Sequence, residues 1–279
     1  MAEKQNQCTI CKGLGVTFQP VQKRGQPRMV TLCSCKSLFC ETCPGDKEPP
    51  YYFFDETDRQ SKPCVCRDSR IRLDQIASLF KKSNIPWKFR CRPMSDFKMN
   101  SNDVTEAEYL VTALDNARLF MEQFSENYQG PSRGLYIFGP PGVGKSFLGS
   151  LILNELILHK QIDAYFMKIT RDFFNRLRAT FNPETTGYGQ GDNYFNDLAN
   201  KKVLMIDDFG VQSDTDWEQR TLYDLIDMRY EYERPTILTS NKAPEEYKEF
   251  FNGRIYSRLK EMSIFQPIIA TDFRDKLKP

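Results

Sequence analysis

Histidine is almost missing from this sequence. His159 is the only one in 279 residues, and it sits in a helical pattern far from the cysteines. Any metal centre built by the nine cysteines is therefore expected to be all-thiolate, structural, and without the open position that catalysis needs. Long apolar runs are lacking too: none approaches the roughly 18–20 residues of a membrane-spanning helix. The opening MAEKQNQC has no apolar segment of the signal-peptide kind. A cytoplasmic protein is expected, in which cysteines serve as metal ligands or reduced thiols rather than disulfides. Internal repeats and low-complexity tracts are absent, and the net charge is only +2. That small total hides an asymmetry. Residues 1–90 hold 16 Lys/Arg against 9 Asp/Glu, a net of +7, leaving 23 against 28, a net of −5, for the rest. A basic front half hints at an anionic partner, though metal-bound thiolates would offset part of its charge. With 40% hydrophobic and 27% charged residues, the chain reads as a globular protein long enough for two domains.

What is present begins with Tyr136-Ile137-Phe138-Gly139-Pro140-Pro141-Gly142-Val143-Gly144-Lys145-Ser146. A short apolar strand runs into a glycine-rich turn that ends in Lys-Ser and opens a helix. Glycines let backbone N–H groups converge on an anion, and the helix N-terminus adds partial positive charge. This is a phosphate-binding loop, expected to hold ATP from Gly139 through Phe147. Lys145 would reach the β- and γ-phosphates, and the Ser146 hydroxyl would ligate Mg²⁺.

Residues 1–66 carry eight of the nine cysteines in four close pairs: Cys8/Cys11, Cys33/Cys35, Cys40/Cys43 and Cys64/Cys66. Each pair has the spacing of a zinc knuckle. Ten glycines and prolines and little apolar material leave this segment without a core, so two structural Zn²⁺ ions are expected to supply its folding free energy. A nested arrangement is expected: Cys8, Cys11, Cys64 and Cys66 on one ion, and Cys33, Cys35, Cys40 and Cys43, which lie within eleven residues, on the other. The alternative is sequential, first pair with second and third with fourth. Residues 1–67 are read as this two-zinc domain, 68–102 as a basic helix and linker, and 103–279 as the nucleotide-binding domain. The helix after Cys66 carries Ile71, Ile76, Leu79 and Phe80 on one face and has Asp68 or Ser69 as candidate caps. It serves either as a linker or partner helix, or as a solvated helix packed on its neighbour. Cys91 is read as a free thiol.

A long helix is expected from about Thr105 to Asn127. Strands and helices then alternate: strand 134–138, helix 145–159, strand 164–169, helix 170–180, a polar loop 182–193, strand 202–206, helix 217–232, strand 236–239, helices 244–251 and 253–261, and strand 264–269. Apolar strands alternating with helices indicate a parallel sheet covered on both faces. Strand Val203–Ile206 delivers Asp207 and Asp208 to the rim where such sheets bind ligands. Asp207 would hold Mg²⁺ opposite Ser146, and Asp208 would orient or deprotonate the attacking water. Strand 236–239 brings Asn241 to the same rim, within reach of the γ-phosphate.

The phosphate loop, the Asp207-Asp208 strand, Thr239-Ser240-Asn241 and Arg254-Ile255-Tyr256-Ser257-Arg258-Leu259 occur in an order that resembles AAA+ ATPases. More narrowly, they resemble the DnaC/DnaI helicase loaders and the IstB transposition helpers, over roughly residue 85 onwards. The resemblance implies a parallel sheet of order 5-1-4-3-2, no C-terminal helical lid, ATP-dependent homo-oligomerisation, and a replicative helicase as partner, met through the N-terminal domain. It further implies that Arg258, with Arg254 beside it, is an arginine finger acting on a neighbouring subunit, and that Arg274 is a cis-acting sensor. A solvated helix face is the alternative for the two finger candidates. In loaders single-stranded DNA follows the region after the second strand, which here holds Lys168, Arg171, Arg176 and Arg178 with interleaved aromatics. Core packing and solvation account for the same residues equally well. A transposition helper, and a nucleotide-gated scaffold without turnover, are the competing functions.

Overall fold

In the computed structural model, residues 8–20, 28–36, 40, 42, 49–98, 103–124, 133–180, 190–210, 215–249 and 253–272 are described below. Two antiparallel hairpins come first. β1 (Val16–Phe18) pairs with β2 (Val30–Leu32), and β3 (Tyr52–Asp55) pairs with β4 (Gln60–Pro63). Strands of three and four residues are too short to bury a face by themselves. Val16 and Leu32 instead join the cluster that contains Ile76 and Phe80 of α1 (Arg67–Lys82), and Phe18 meets Phe80 edge-on at 5.9 Å. The helix after Cys66 is thus a packed helix rather than a free linker. Its start differs from expectation: Cys66 occupies the N-cap and makes no side-chain capping bond, so neither Asp68 nor Ser69 caps it.

Residues 85–97, within the expected linker, hold one 3-10 turn over Met94–Asp96 and are docked on the sheet domain. The Asn154 amide donates to the carbonyls of Phe89 and Arg92 at 2.7 and 3.0 Å, and its oxygen accepts from Cys91 N at 3.2 Å. Cys91 is buried there, and burial pushes its thiol up to about 12. Helix α2 (Val104–Glu122) follows, with Asp103 capping it by accepting from Glu106 N.

Five parallel strands form the central sheet: β5 (Gly134–Phe138), β6 (Ala164–Lys168), β7 (Val203–Phe209), β8 (Thr236–Ser240) and β9 (Ser263–Pro267). Their spatial order is β6-β7-β8-β5-β9, which is 5-1-4-3-2 read from the other edge. Successive side chains of β5 part to opposite faces. Leu135 and Ile137 join a core with α2 and α3 (Lys145–Lys160), whereas Tyr136 joins one with α5 (Gly191–Asn200), α6 (Asp216–Glu231) and α7 (Arg254–Met262). The first of these cores also contains Val16, Leu32, Ile76, Phe80 and Ile85, so the N-terminal hairpin, α1 and the sheet share one hydrophobic cluster.

The helix expected over 244–251 is a 3-10 turn over Pro244–Tyr247 among the described residues, and two further elements depart from the sequence reading. The helix after β6 opens as a π turn over Ile169–Phe174 before α4 (Asn175–Ala179). Strand β7 does not stop at Ile206 but runs through both aspartates to Phe209, with a register shift against β8 between Ile206 and Phe209. Pairing of Phe209 with Ser240 overrides the weak strand propensity of two acids. The expected polar loop falls outside the described residues over 182–189, and α5 begins at Gly191. Among the described residues no helix is long and apolar enough to cross a membrane.

Candidate functional site

The C-terminal ends of β5, β7 and β8 meet at one rim, because Phe138 lies opposite Ser240 and Ile206 opposite Leu238. The glycine-rich turn leaves β5 at that rim. Gly144 takes a left-handed φ of 92° at the N-cap of α3, a conformation that costs a non-glycine residue about 1–2 kcal/mol. Gly142, at φ 85°, has a further reason: a Cβ there would lie 2.0 Å from the Asp272 carboxyl carbon. Lys145 is buried and folds back on its own loop, donating to the carbonyls of Gly139 and Pro140 at 2.8 and 2.6 Å. Pro141, Val143 and Ser146 complete the turn. Phe147, on the first turn of α3, packs against Phe89 at 5.5 Å and Phe97 at 6.2 Å.

Asp207 faces this loop from β7 and is buried. Burial pushes its carboxyl above the usual carboxylate range, and hydrogen bonds from the Ser146 and Thr239 hydroxyls offset part of that. The Thr239 hydroxyl donates to Asp207 Oδ1 at 2.6 Å and accepts from Asp208 N at 3.3 Å. Thr239 is the residue that sequence reasoning passed over. It stands in the Thr239-Ser240-Asn241 string, where the amide at the strand end is the more conspicuous polar group. Asn241 itself is exposed at the rim. Asp208 lies at the register shift with φ +60°, and this turns its carboxylate to Lys168 Nζ at 2.7 Å. A buried carboxylate beside a serine hydroxyl and a glycine-rich loop suits Mg²⁺-nucleotide: oxygen donors, one anionic, lie where a hard cation requires them.

The arginines differ from one another. Arg258 donates to Asp227 Oδ1 at 2.6 Å and stacks over Tyr230 at 4.2 Å, so α6 of the same chain holds it. Asp227 raises its pKa further. Arg254, one turn earlier, is exposed. Arg274 lies outside the described residues. Of the cations after β6, Lys168 is taken by Asp208, Arg176 stacks over Tyr194 at 4.8 Å, and Arg178 pairs with the buried Glu218 and stacks over Trp217 at 5.9 Å. Both arginines remain exposed while stacked. The side chain of Arg171 lies outside the described residues.

The cysteines gather in two groups, and the grouping corrects the nested expectation. Cys8, Cys11, Cys33 and Cys35 form one, and Cys40, Cys64 and Cys66 the other, with sulfurs in each within 4.8 Å of one another. Cys43 lies outside the described residues. The reason is the hairpins. Cys33 N donates to Gly15 O at 2.9 Å, which carries the second pair onto the first, while Cys64 N donates to Tyr51 O at 3.0 Å beyond β4. Sequence proximity of the inner four could not outweigh strand pairing. Sulfur separations of 3.8 Å (Cys8–Cys33), 3.4 Å (Cys11–Cys35) and 3.2 Å (Cys40–Cys64) are near the about 3.8 Å of a tetrahedron with zinc–sulfur bonds of about 2.3 Å. The Cys11 and Ile10 N–H groups pull the Cys8 thiol down to about 6, while the hydrogen bond with Cys11 pushes the Cys35 thiol up to about 12, so the four sulfurs share their protons as one group. These thiols fit zinc.

The sequence profile described as IstB-like ATP binding protein matches residues 88–257. The chain is 30% identical over 190 residues to the replicative helicase loader DnaC of Escherichia coli, covering 68% of this chain and 71% of that one. It is 31% identical over 144 residues to the replicative helicase loader DnaI of Bacillus subtilis, covering 49% and 44%. A crystal structure of the DnaC helicase loader superposes with a TM-score of 0.54 at 23% identity, over 66% of this chain and 98% of that one. With the phosphate loop and the 5-1-4-3-2 sheet already in hand, these matches establish that the chain belongs to the IstB-like ATP-binding family, the DnaC/IstB branch of the AAA+ proteins.

Proposed function

We propose that this protein is an ATP-dependent loader of a replicative helicase, acting in the cytoplasm. The observation that carries the ATP half is the Asp207 carboxylate, shared between the Ser146 and Thr239 hydroxyls beside the phosphate loop. The client half is supported by the likeness to replicative helicase loaders over 190 residues. In this reading Lys145 leaves the Gly139 and Pro140 carbonyls for the β- and γ-phosphates. Ser146 and Asp207 hold Mg²⁺, Asp208 receives the proton of the attacking water once released from Lys168, and Asn241 contacts the γ-phosphate. Mg²⁺ supplies charge neutralisation when bound. A neighbouring subunit contributes Arg258 or Arg254, so the isolated chain turns over slowly. Arg254 extends into solvent, whereas Arg258 exchanges Asp227 for the neighbour's phosphate. Arg274 is assigned to the same site in cis. Residues 1–67 hold two zinc ions and meet the helicase, 68–102 join them to the ATPase domain of residues 103–279, and single-stranded DNA tracks past Lys168, Arg171, Arg176 and Arg178. The exposed stacks of Arg176 on Tyr194 and Arg178 on Trp217 support that last role, since cation-backed aromatic faces suit base stacking.

The test is steady-state ATP turnover of the full chain, with and without single-stranded DNA, beside Lys145→Ala and Arg258→Ala. Affinity capture of the full chain from its native cell, with ATP and without, identifies the client. Stimulated turnover and recovery of a replicative helicase are expected. A transposase in place of the helicase would move the protein to the transposition helpers, and absence of stimulated turnover would leave a nucleotide-gated scaffold.

A further inference from the structure

Helix α1 ends against the exposed edge of the sheet, and the residues that end it do more than stop a helix. The buried Ser83 accepts from Phe166 N through its backbone carbonyl at 2.8 Å, so it pairs with β6 as a short extra strand would. Asn84 then turns the chain at φ +55°, a left-handed conformation that asparagine tolerates better than most residues. Its side-chain amide spends both donors on one target region. Asn84 Nδ2 donates to Phe166 O at 2.9 Å and to Asp172 Oδ2 at 3.2 Å. The same Asp172 oxygen accepts from Lys168 N at 3.1 Å. Lys168 is the last residue of β6, and its ammonium reaches Asp208 at 2.7 Å.

A continuous series of bonds therefore runs from the end of α1 to the acid of the ATP site, through one amide, one carboxylate and one lysine. Loss of the amide frees Asp172 from the α1 side, loosens the turn that fixes Lys168 N, and so loosens where the ammonium stands. We propose that Asn84 is a positioning residue for ATP hydrolysis: it holds the turn after β6 from which Lys168 restrains Asp208. This rests on the reading of Asp208 as the base that takes the proton of the attacking water. Position 84 lies outside the residue range of the matched family profile, which begins at residue 88.

The experiment is a double-mutant cycle in the full chain, reading kcat and KM for ATP without DNA. Asn84→Gly keeps the left-handed backbone and removes the amide, and Lys168→Ala removes the restraint directly. Each is expected to raise basal kcat about two- to tenfold, with KM within about twofold. The double variant is expected to be no faster than Lys168→Ala alone. Asn84→Asp, which keeps the shape but sets a carboxylate against Asp172, is expected to behave like Asn84→Gly and serves should the glycine variant fold poorly. Multiplying effects in the double variant would overturn the proposal, as would a kcat equal to wild type in both Asn84 variants. Asp208→Asn separates the two layers. Turnover that survives it refutes the general-base reading, whereas turnover abolished by it with additive Asn84 and Lys168 effects refutes only the positioning role.

Discussion

At the scale of single residues, the aspartate pair at the sheet rim depends on a hydroxyl. Thr239 ties Asp207 to the backbone of Asp208, and a hydrogen bond to a charged group contributes about 1.5–3 kcal/mol. Thr239→Val keeps the shape and removes the tie, and is expected to lower kcat roughly 10- to 100-fold while raising the Mg²⁺ needed for half-maximal rate. Unchanged Mg²⁺ dependence would count against it. Asp207 also sets a pH dependence. Its carboxyl is raised by burial, so the folded state holds its proton to higher pH than the unfolded chain does. The linkage sign follows: stability falls as pH rises from the unfolded value through the folded one, and above that window the buried charge is a standing cost. Asp207→Asn is therefore expected to raise the melting temperature of the nucleotide-free protein at neutral pH while abolishing Mg²⁺-dependent turnover, which thermal denaturation and an ATPase assay together would check. Lys145, Ser146 and Asp207 are brought together in the candidate site, and that placement was legible because a glycine-rich turn before a helix and an apolar strand ending in an acid are local signals. Thr239 was not, since its importance lies in a bond 32 residues back in sequence that only strand pairing creates.

At the scale of elements, strands β5 and β8 and helix α3 were legible to within a residue: Leu135–Phe138 run straight into a glycine turn, Pro235 bounds the β-branched and apolar residues of β8, and α3 is apolar nearly all round. The sheet order came from the family resemblance rather than from periodicity, and the strand pairing agrees with it. The first N-terminal hairpin and the sulfur grouping were hidden because pairing Val16 with Leu32 is non-local and leaves no periodic trace in three-residue strands, whereas the second hairpin is local but its Gln60–Pro63 strand carries no apolar alternation. Helix α7 carries a prediction of its own. Its Arg258 is engaged by Asp227 on α6, and the pair is partly exposed, so the tie is weak enough to exchange. Asp227→Asn is expected to increase turnover at low protein concentration a few-fold, whereas Arg258→Ala is expected to lose on the order of 10³ of the assembly-stimulated rate. A concentration series distinguishes the two, and an Arg258→Ala protein as active as wild type would shift the finger to Arg254.

At the scale of the whole molecule, two regions that sequence divides are joined through one core. The first hairpin and α1 share the cluster that holds α3 and the inner face of the sheet. Elemental analysis is expected to find two zinc ions per chain. Cys11→Ser, which removes one thiol of the first group, is expected to lose one of them and to lower the melting temperature of the region around the central sheet as well, seen as a single shifted transition rather than a separate early one. An unshifted main transition would mean that the two regions melt independently. The shared core also has a consequence in time. During synthesis Val16 and Leu32 leave the ribosome well over a hundred residues before the α3 residues of the same cluster. At about 5–20 residues per second the hairpin waits a few seconds for Ile76 and Phe80 of α1, and on the order of ten seconds for α3 to complete the cluster. For that interval its fold must be held from within, and four sulfurs already gathered around one point are the means the first hairpin has at hand.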